Sequence, residues 1–202
     1  MLLQVEQVDS FIKNKDYMSV IDDTIESLKQ DPMVQFVPNV SLRWNYGEET
    51  KNNLQRLYSI IIPYVEQQIY NCPIQVIDVK FLRHLKSESE HREGAFVWHT
   101  DNHPAEILNI IIYLSDVEKD CGGMQYASYG DEIMKQEYRD PPGNIVFDGH
   151  IKSLRGDPKF KIHDILGEKG SFFIFDNCIM HRASTPILKD RDALLLQVTS
   201  NV

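Results

Sequence analysis

Residues 107–114, I-L-N-I-I-I-Y-L, are the most strand-like run in the chain. Branched and aromatic side chains of this kind suit a pleated, buried surface, and on an extended backbone Asn109 and Tyr113 project from one face. The same character recurs on both sides of it. Upstream, residues 76–85 (V-I-D-V-K-F-L-R-H-L) alternate like a strand, and 95–100 lead into W-H-T-D before Asn102 to Ala105 break the run. Downstream, Gly122-Gly123 mark a turn or bulge before 124–127. Further short strands are expected at 144–147, at 171–175 (S-F-F-I-F) and at 193–199 (A-L-L-L-Q-V-T). This amounts to about eight strands joined by turns rather than helices, the pattern of an all-β barrel or sandwich.

Before residue 76 the pattern is helical. Val8, Phe11, Ile12, Met18, Ile21, Ile25 and Leu28 recur at three- and four-residue spacing, interrupted near 14–17, which predicts two short amphipathic helices. Asp31-Pro32 closes that region. The stretch 36–45 reads as strand or loop, with Trp44 and the following Tyr46 as packing aromatics. Residues 48–71 form the best helix: acidic residues open it, and Leu54, Leu57, Tyr58, Ile61, Tyr64, Val65 and Ile69 make one apolar stripe. Pro63 predicts a kink within it or its division in two. The 202 residues therefore read as a single domain. In it 1–75 is a helical N-terminal support and 76–202 a β core. A charged insertion at 129–168 falls near the barrel mouth, where it would shape a substrate pocket.

With 21 basic and 30 acidic residues the net charge is −9, which argues against a nucleic-acid partner, because affinity for phosphates rests on Lys and Arg. Cys72, Cys121 and Cys178 are widely spaced and odd in number, as expected of a reducing cytosol. The N-terminus lacks the pattern of a signal peptide, and no apolar run approaches the ~20 residues that span a bilayer. The expectation is a soluble cytoplasmic protein acting on a small-molecule or carrier-linked substrate, with no membrane partner.

The chemistry is expected at W-H-T-D. His99 and Asp101 stand two positions apart, so on a strand both face the same way. His181, in F-D-N-C-I-M-H-R after a Gly-led strand, completes two histidines and one carboxylate. That set holds non-haem Fe(II) on one face and leaves positions open for substrate and O2. Arg191 follows at the start of the last strand. A guanidinium there pairs bidentately with a carboxylate, as an oxygenase that consumes a 2-oxo acid requires. Asn109 and Tyr113, if they face the interior, add hydrogen bonds to the same co-substrate. A surface ion pair of Arg191 with Asp190 or Asp192 is the plainer alternative.

Taken in order, W-H-T-D, I-I-I-Y-L-S-D-V-E-K-D-C-G-G, G-S-F-F-I-F-D-N-C-I-M-H-R-A-S-T-P and R-D-A-L-L-L-Q-V resemble the H-x-D…H…R framework of Fe(II)/2-oxoglutarate-dependent dioxygenases, and are most similar to the phytanoyl-CoA-dioxygenase-like hydroxylases. The resemblance spans roughly 76–199. It implies a double-stranded β-helix core (jelly-roll, cupin-like), mainly β with N-terminal helices, and an oxidoreductase that couples hydroxylation to conversion of 2-oxoglutarate and O2 into succinate and CO2. It implies Fe(II) on His99, Asp101 and His181, and the C5 carboxylate of 2-oxoglutarate on Arg191. Halogenating relatives carry a small residue in place of the carboxylate ligand, so Asp101 favours hydroxylation.

The competing reading is a non-redox metal-binding cupin-like protein, an isomerase or a binding module, which does not need Arg191. Trp98 points away from His99 and is expected to pack. Pro104 argues against His103 as a further ligand, Cys178 is expected to be buried, and His84, His91, His150 and His163 are expected to be surface or structural.

Overall fold

The computed structural model describes residues 5–34, 41–42, 46–91, 93–104 and 106–201; Trp44 lies outside them. The chain opens with β1 (Val5–Val8), a 3-10 turn (Ser10–Lys13) and α1 (Lys15–Gln30), followed by β2 (Ser41–Leu42) and α2 (Glu48–Val65). The remainder carries β3 (Ile74–His84), β4 (His99–Thr100), β5 (Leu108–Tyr113), β6 (Met124–Tyr129), β7 (Glu132–Ile133), β8 (Ile145–Val146), α3 (Asp148–Leu154), β9 (Phe160–Ile165), β10 (Phe172–Asp176), β11 (His181–Ala183) and β12 (Arg191–Ser200).

The first of the two helices expected over 5–29 is instead a strand and a turn. Val5 to Val8 pair antiparallel with Phe175 to Phe172, so sheet pairing overrides the local spacing. The interruption near residue 14 is a helix start: the Asn14 side chain accepts hydrogen bonds from the backbone N–H groups of Asp16 and Tyr17, satisfying donors that an α-helix leaves unpaired. α2 runs through Pro63 and passes into a π-helical turn at Glu66–Tyr70. This turn ends on Asn71 in the left-handed region.

Two antiparallel sheets face each other. One has the order β1-β10-β5-β12-β3-β2, and the other β7-β6-β11-β4-β8 with β9 paired to β6. Strands β3, β5, β10 and β12 lie in the first, and β4, β6, β9 and β11 in the second, so the chain winds back and forth between the sheets.

The strand β5 shows how the layers are built. Ile110 and Ile112 face outward into a core shared with Tyr17, Ile21 and Leu28 of α1 and Leu54, Leu57 and Ile61 of α2. Ile111 and Tyr113 face inward to Phe173, Phe175 and Ala193. A strand covered on both faces has no reason to alternate apolar with polar, which is why 107–114 is so uniformly hydrophobic. Each aliphatic side chain buried this way contributes roughly 1.5–3 kcal/mol, and α1 is further fixed by the Tyr17 hydroxyl, which donates to the Gly170 carbonyl at 2.6 Å.

The stretch 129–168 is more ordered than an irregular insertion. It contains α3 and β8, and its last part is β9, paired with β6 from Met124↔Ile165 to Tyr129↔Phe160. The sequence of β9, F-K-I-H-D-I, carries exposed Lys161 and Asp164 on a partly solvated sheet, so its charge disguises a strand as a loop.

Candidate metal centre

His99 and His181 sit opposite each other on the paired strands β4 and β11, with ring centroids 4.4 Å apart. His99 Nδ1 lies 2.7 Å from the Val97 carbonyl and His181 Nδ1 lies 2.9 Å from the Ile179 carbonyl. A carbonyl only accepts, so each Nδ1 carries the proton and each Nε2 is left bare for a ligand. Both bare nitrogens face Asp101: His99 Nε2 is 3.6 Å from Oδ1 and His181 Nε2 is 3.8 Å from Oδ2. One ligand atom from each of the three residues lies within 4.8 Å of the others. The backbone N–H of Asp101 donates to the Asn177 carbonyl at 3.0 Å, holding the end of the β4 segment in place.

The electrostatics suit a cation. Burial, then the neighbouring His99, push the His181 imidazole down to about 4 despite the opposing pull of Asp101, so His181 is neutral at neutral pH. Burial alone would raise the Asp101 carboxyl, but the two imidazoles, the Asn109 amide and Lys80 outweigh it and keep the group below the usual carboxylate range.

Asn109 stands behind this carboxylate. Its Nδ2 donates to Asp101 Oδ2 at 2.6 Å, and its Oδ1 accepts from Gln197 Nε2 at 3.1 Å. The chain Gln197–Asn109–Asp101 therefore orients the carboxylate from the β12 and β5 side. Groups that orient a metal ligand are typically worth 10–100-fold in metal affinity. Asn109→Ala is expected to weaken Ni(II) or Co(II) binding by about that factor, measured by competition with a chelator; unchanged affinity would remove this role.

A cavity of about 510 Å3 opens beside the triad, lined among others by Lys80, Leu82, His84, Met124, Phe175, Arg191 and Leu195. Arg191 is 2 % exposed. Its Nη1 donates to the Gly122 carbonyl at 2.7 Å and its Nη2 donates to His84 Nδ1 at 2.6 Å, while its buried Nε has no hydrogen-bond partner. Gly122 is held at φ +81, and a Cβ there would come within 2.6 Å of Pro186, so only glycine presents this carbonyl comfortably. Neither neighbouring acid takes Arg191: Asp192 pairs with Arg83 through two hydrogen bonds, and Asp190 accepts from the backbone N–H of Lys86. Among the described residues no carboxylate lies within ion-pair distance of Arg191.

The other expected residues divide. Asn109 lines the cavity, whereas the Tyr113 hydroxyl donates to the Ile165 carbonyl at 2.7 Å and accepts from the Met124 N–H at 3.2 Å. Tyr113 thus ties β5 to β6 and β9 beneath the site. Trp98 is buried under the Arg182 guanidinium, His103 lines the cavity, and Cys178 is buried.

Sequence reasoning gave Lys80 and Gln197 no role and left His84 as surface or structural. Lys80, Leu82 and His84 share one face of β3 by simple alternation, but knowing that His84 stands opposite Arg191 requires the β3–β12 register. Of the two expectations for His84, surface or structural, burial excludes the first: it is 2 % exposed. Burial first, then the Arg191 charge and His91, push its imidazole down to about 2.

The sign of the consequence follows. The folded value lies below the unfolded one of about 6.5, so the unfolded chain takes up a proton first; stability is complete above about 6.5 and falls as the pH drops below it, by about 1.4 kcal/mol per pH unit. Denaturant titration of the metal-free protein is expected to show a loss of about 2 kcal/mol from this group between pH 6.5 and 5. His84→Gln is expected to reduce the slope, leaving the share that His181 contributes over the same window, and an equal slope in that variant would refute the assignment.

No sequence-family profile and no curated protein matches the chain. Solved structures do. The epimerase SnoN, in complex with Fe3+, alpha ketoglutarate and nogalamycin RO, is 13 % identical with a TM-score of 0.63, over 97 % of this chain and 78 % of its own. HygX from Streptomyces hygroscopicus, with nickel, 2-oxoglutarate and hygromycin B bound, is 13 % identical with a TM-score of 0.61, over 98 % and 83 %. EctD from S. alaskensis, with bound Fe, is 12 % identical with a TM-score of 0.64, over 97 % and 72 %. The chain is thus similar in fold to metal- and 2-oxoglutarate-binding proteins. Among the described residues no helix is long and apolar enough to cross a membrane.

Proposed function

We propose that this chain is an Fe(II)- and 2-oxoglutarate-dependent oxygenase that hydroxylates a small molecule in the cytoplasm, built as a single domain on a double-stranded β-helix. The observation that carries the reading is the buried Arg191 guanidinium, without a carboxylate partner among the described residues, in the same cavity as the His99–Asp101–His181 group. A buried cation is costly unless an anion meets it, and a 2-oxo dicarboxylate is an anion that reaches from a metal to such a cation. The distribution of β3, β5, β10, β12 and β4, β6, β9, β11 between two facing sheets supports the jelly-roll assignment.

In this reading His99 Nε2, His181 Nε2 and Asp101 hold the iron, and the donor set suits Fe(II) with open positions. Iron with 2-oxoglutarate and O2 supplies the oxidising power, the co-substrate leaving as succinate and CO2. The rest is the protein's work. Arg191 pairs with the C5 carboxylate, and His84 and Gly122 keep its fork in register. Asn109 orients Asp101, and Leu82, Ile111, Met124, Phe175 and Leu195 surround the co-substrate arm with apolar surface that excludes water.

A second outcome from the same site is supported by the likeness to SnoN, an epimerase solved with iron and alpha ketoglutarate: the chain would then invert a stereocentre rather than add a hydroxyl. Product analysis separates the two. The deciding experiment is anaerobic titration of the iron-loaded protein with 2-oxoglutarate, for which a metal-to-ligand charge-transfer band in the visible is expected. Absence of the band would turn the assignment to a non-redox cupin-like protein. Admission of O2 is then expected to yield succinate.

A further inference from the structure

The segment following the Arg139 turn forms one wall of the cavity through Gly143 and Asn144, and it is fastened to the ligand-bearing strand at two points. At one end β8 pairs with β4, Val146 opposite His99 and Ile145 opposite Thr100. At the other stands Asn102, the residue after Asp101. Its Nδ2 donates to the Arg139 carbonyl at 2.7 Å and the Pro141 carbonyl at 3.1 Å, and its Oδ1 accepts from the Arg139 N–H at 2.8 Å. Its own carbonyl accepts from the Gly143 N–H at 3.3 Å. Asn102 is 2 % exposed and holds φ at 48°, a left-handed conformation that few residues other than Gly and Asn adopt readily.

We propose that Asn102 is a positioning residue that couples metal occupancy at Asp101 to the order of this cavity wall. An ion drawing in the Asp101 carboxylate fixes the backbone of the next residue. All the polar groups of the Asn102 side chain are engaged with the wall, so fixing that residue fixes Arg139 to Asn144 beside the metal. Loss of the ion releases both together. The wall is the part of the cavity built from a long connection rather than from the sheets, where selectivity for a substrate is expected to reside. The proposal rests on metal binding at the triad and not on the redox chemistry assigned to it.

The Arg139–Asp140 peptide bond gives a direct readout. Its carbonyl is one of the two held by Asn102 Nδ2, and trypsin must detach the segment to cut after Arg139. Ni(II), which binds without starting turnover, is expected to slow this cut at least about tenfold in the wild type, while cleavage after Lys119 in the β5–β6 connection is unchanged. Asn102→Gly keeps the left-handed backbone accessible and removes all three side-chain bonds. It is expected to be cut quickly with or without Ni(II) and, because coupling is reciprocal, to bind Ni(II) up to about tenfold more weakly. Asn102→Asp, which keeps only the bond from the Arg139 N–H, is expected to fall between. Protection that Ni(II) does not alter in the wild type, despite measured binding, would overturn the proposal, as would full protection in Asn102→Gly. Failure of Ni(II) to bind at all would overturn it together with the metal reading, whereas failure of 2-oxoglutarate to bind the loaded protein would sink the oxygenase reading alone.

Discussion

Arg191→Gln is expected to move binding and stability in opposite directions. Removing one partner of a buried, hydrogen-bonded charge pair costs about 3 kcal/mol or more, so the Kd for 2-oxoglutarate, read from the charge-transfer band, should rise at least about 100-fold. Iron affinity should hold, because Arg191 contacts none of the three ligands. In the metal-free protein without 2-oxoglutarate the same substitution takes out of the interior a cation that has no carboxylate partner among the described residues, and a neutral amide costs less to bury. The melting temperature should therefore stay level or rise. A variant that lost stability while binding 2-oxoglutarate as tightly as the wild type would make Arg191 a structural residue and end the co-substrate assignment.

Asp101→Ala is expected to abolish coupled succinate formation. The carboxylate is the sole anion of the triad, and it sits where burial, balanced by two imidazoles and Asn109, holds it ionised. Without it, two neutral imidazoles remain to bind a divalent cation, and Asn109 Nδ2 loses its acceptor. Iron retention after desalting should fall to background, and 2-oxoglutarate turnover with it. Full hydroxylase activity in this variant would mean that another residue supplies the carboxylate.

The parts of the site readable from the sequence are those set by short-range geometry. The two-residue spacing of His99 and Asp101 is legible as a shared face of an extended segment, although β4 ends at Thr100 and Asp101 lies one residue past it, and the Gly-led apolar run before His181 announces a strand that returns the chain to the same end. Arg191 was placed by its position at the head of the last strand. The register between strands was not readable, and it decides what Arg191 touches: His84 stands opposite it only because β3 and β12 pair as they do. Tyr113 illustrates the same limit from the other side. Its shared face with Asn109 follows from spacing, but its hydroxyl reaches the Ile165 carbonyl on β9, a strand hidden within a charged stretch. In the N-terminal region, spacing at three and four residues suits a helix as well as a strand end followed by a 3-10 turn, and pairing of β1 with β10 settles the choice. The polar clamp at Asn102 is a contact across 37 residues, and nothing local announces it.

The imidazoles of His99 and His181, both facing Asp101, are aimed by the same device, a proton on Nδ1 shared with the carbonyl two residues earlier on the same segment. The instruction for each imidazole is thus only three residues long and is written in backbone, which every amino acid supplies. The aim of the two imidazoles is therefore insensitive to which side chains stand at 97 and 179, whereas the Asp101 carboxylate depends on the side chain of Asn109. A substitution at 97 or 179 that keeps the backbone in place leaves both nitrogens aimed, so the walls of the cavity can be altered without re-aiming them.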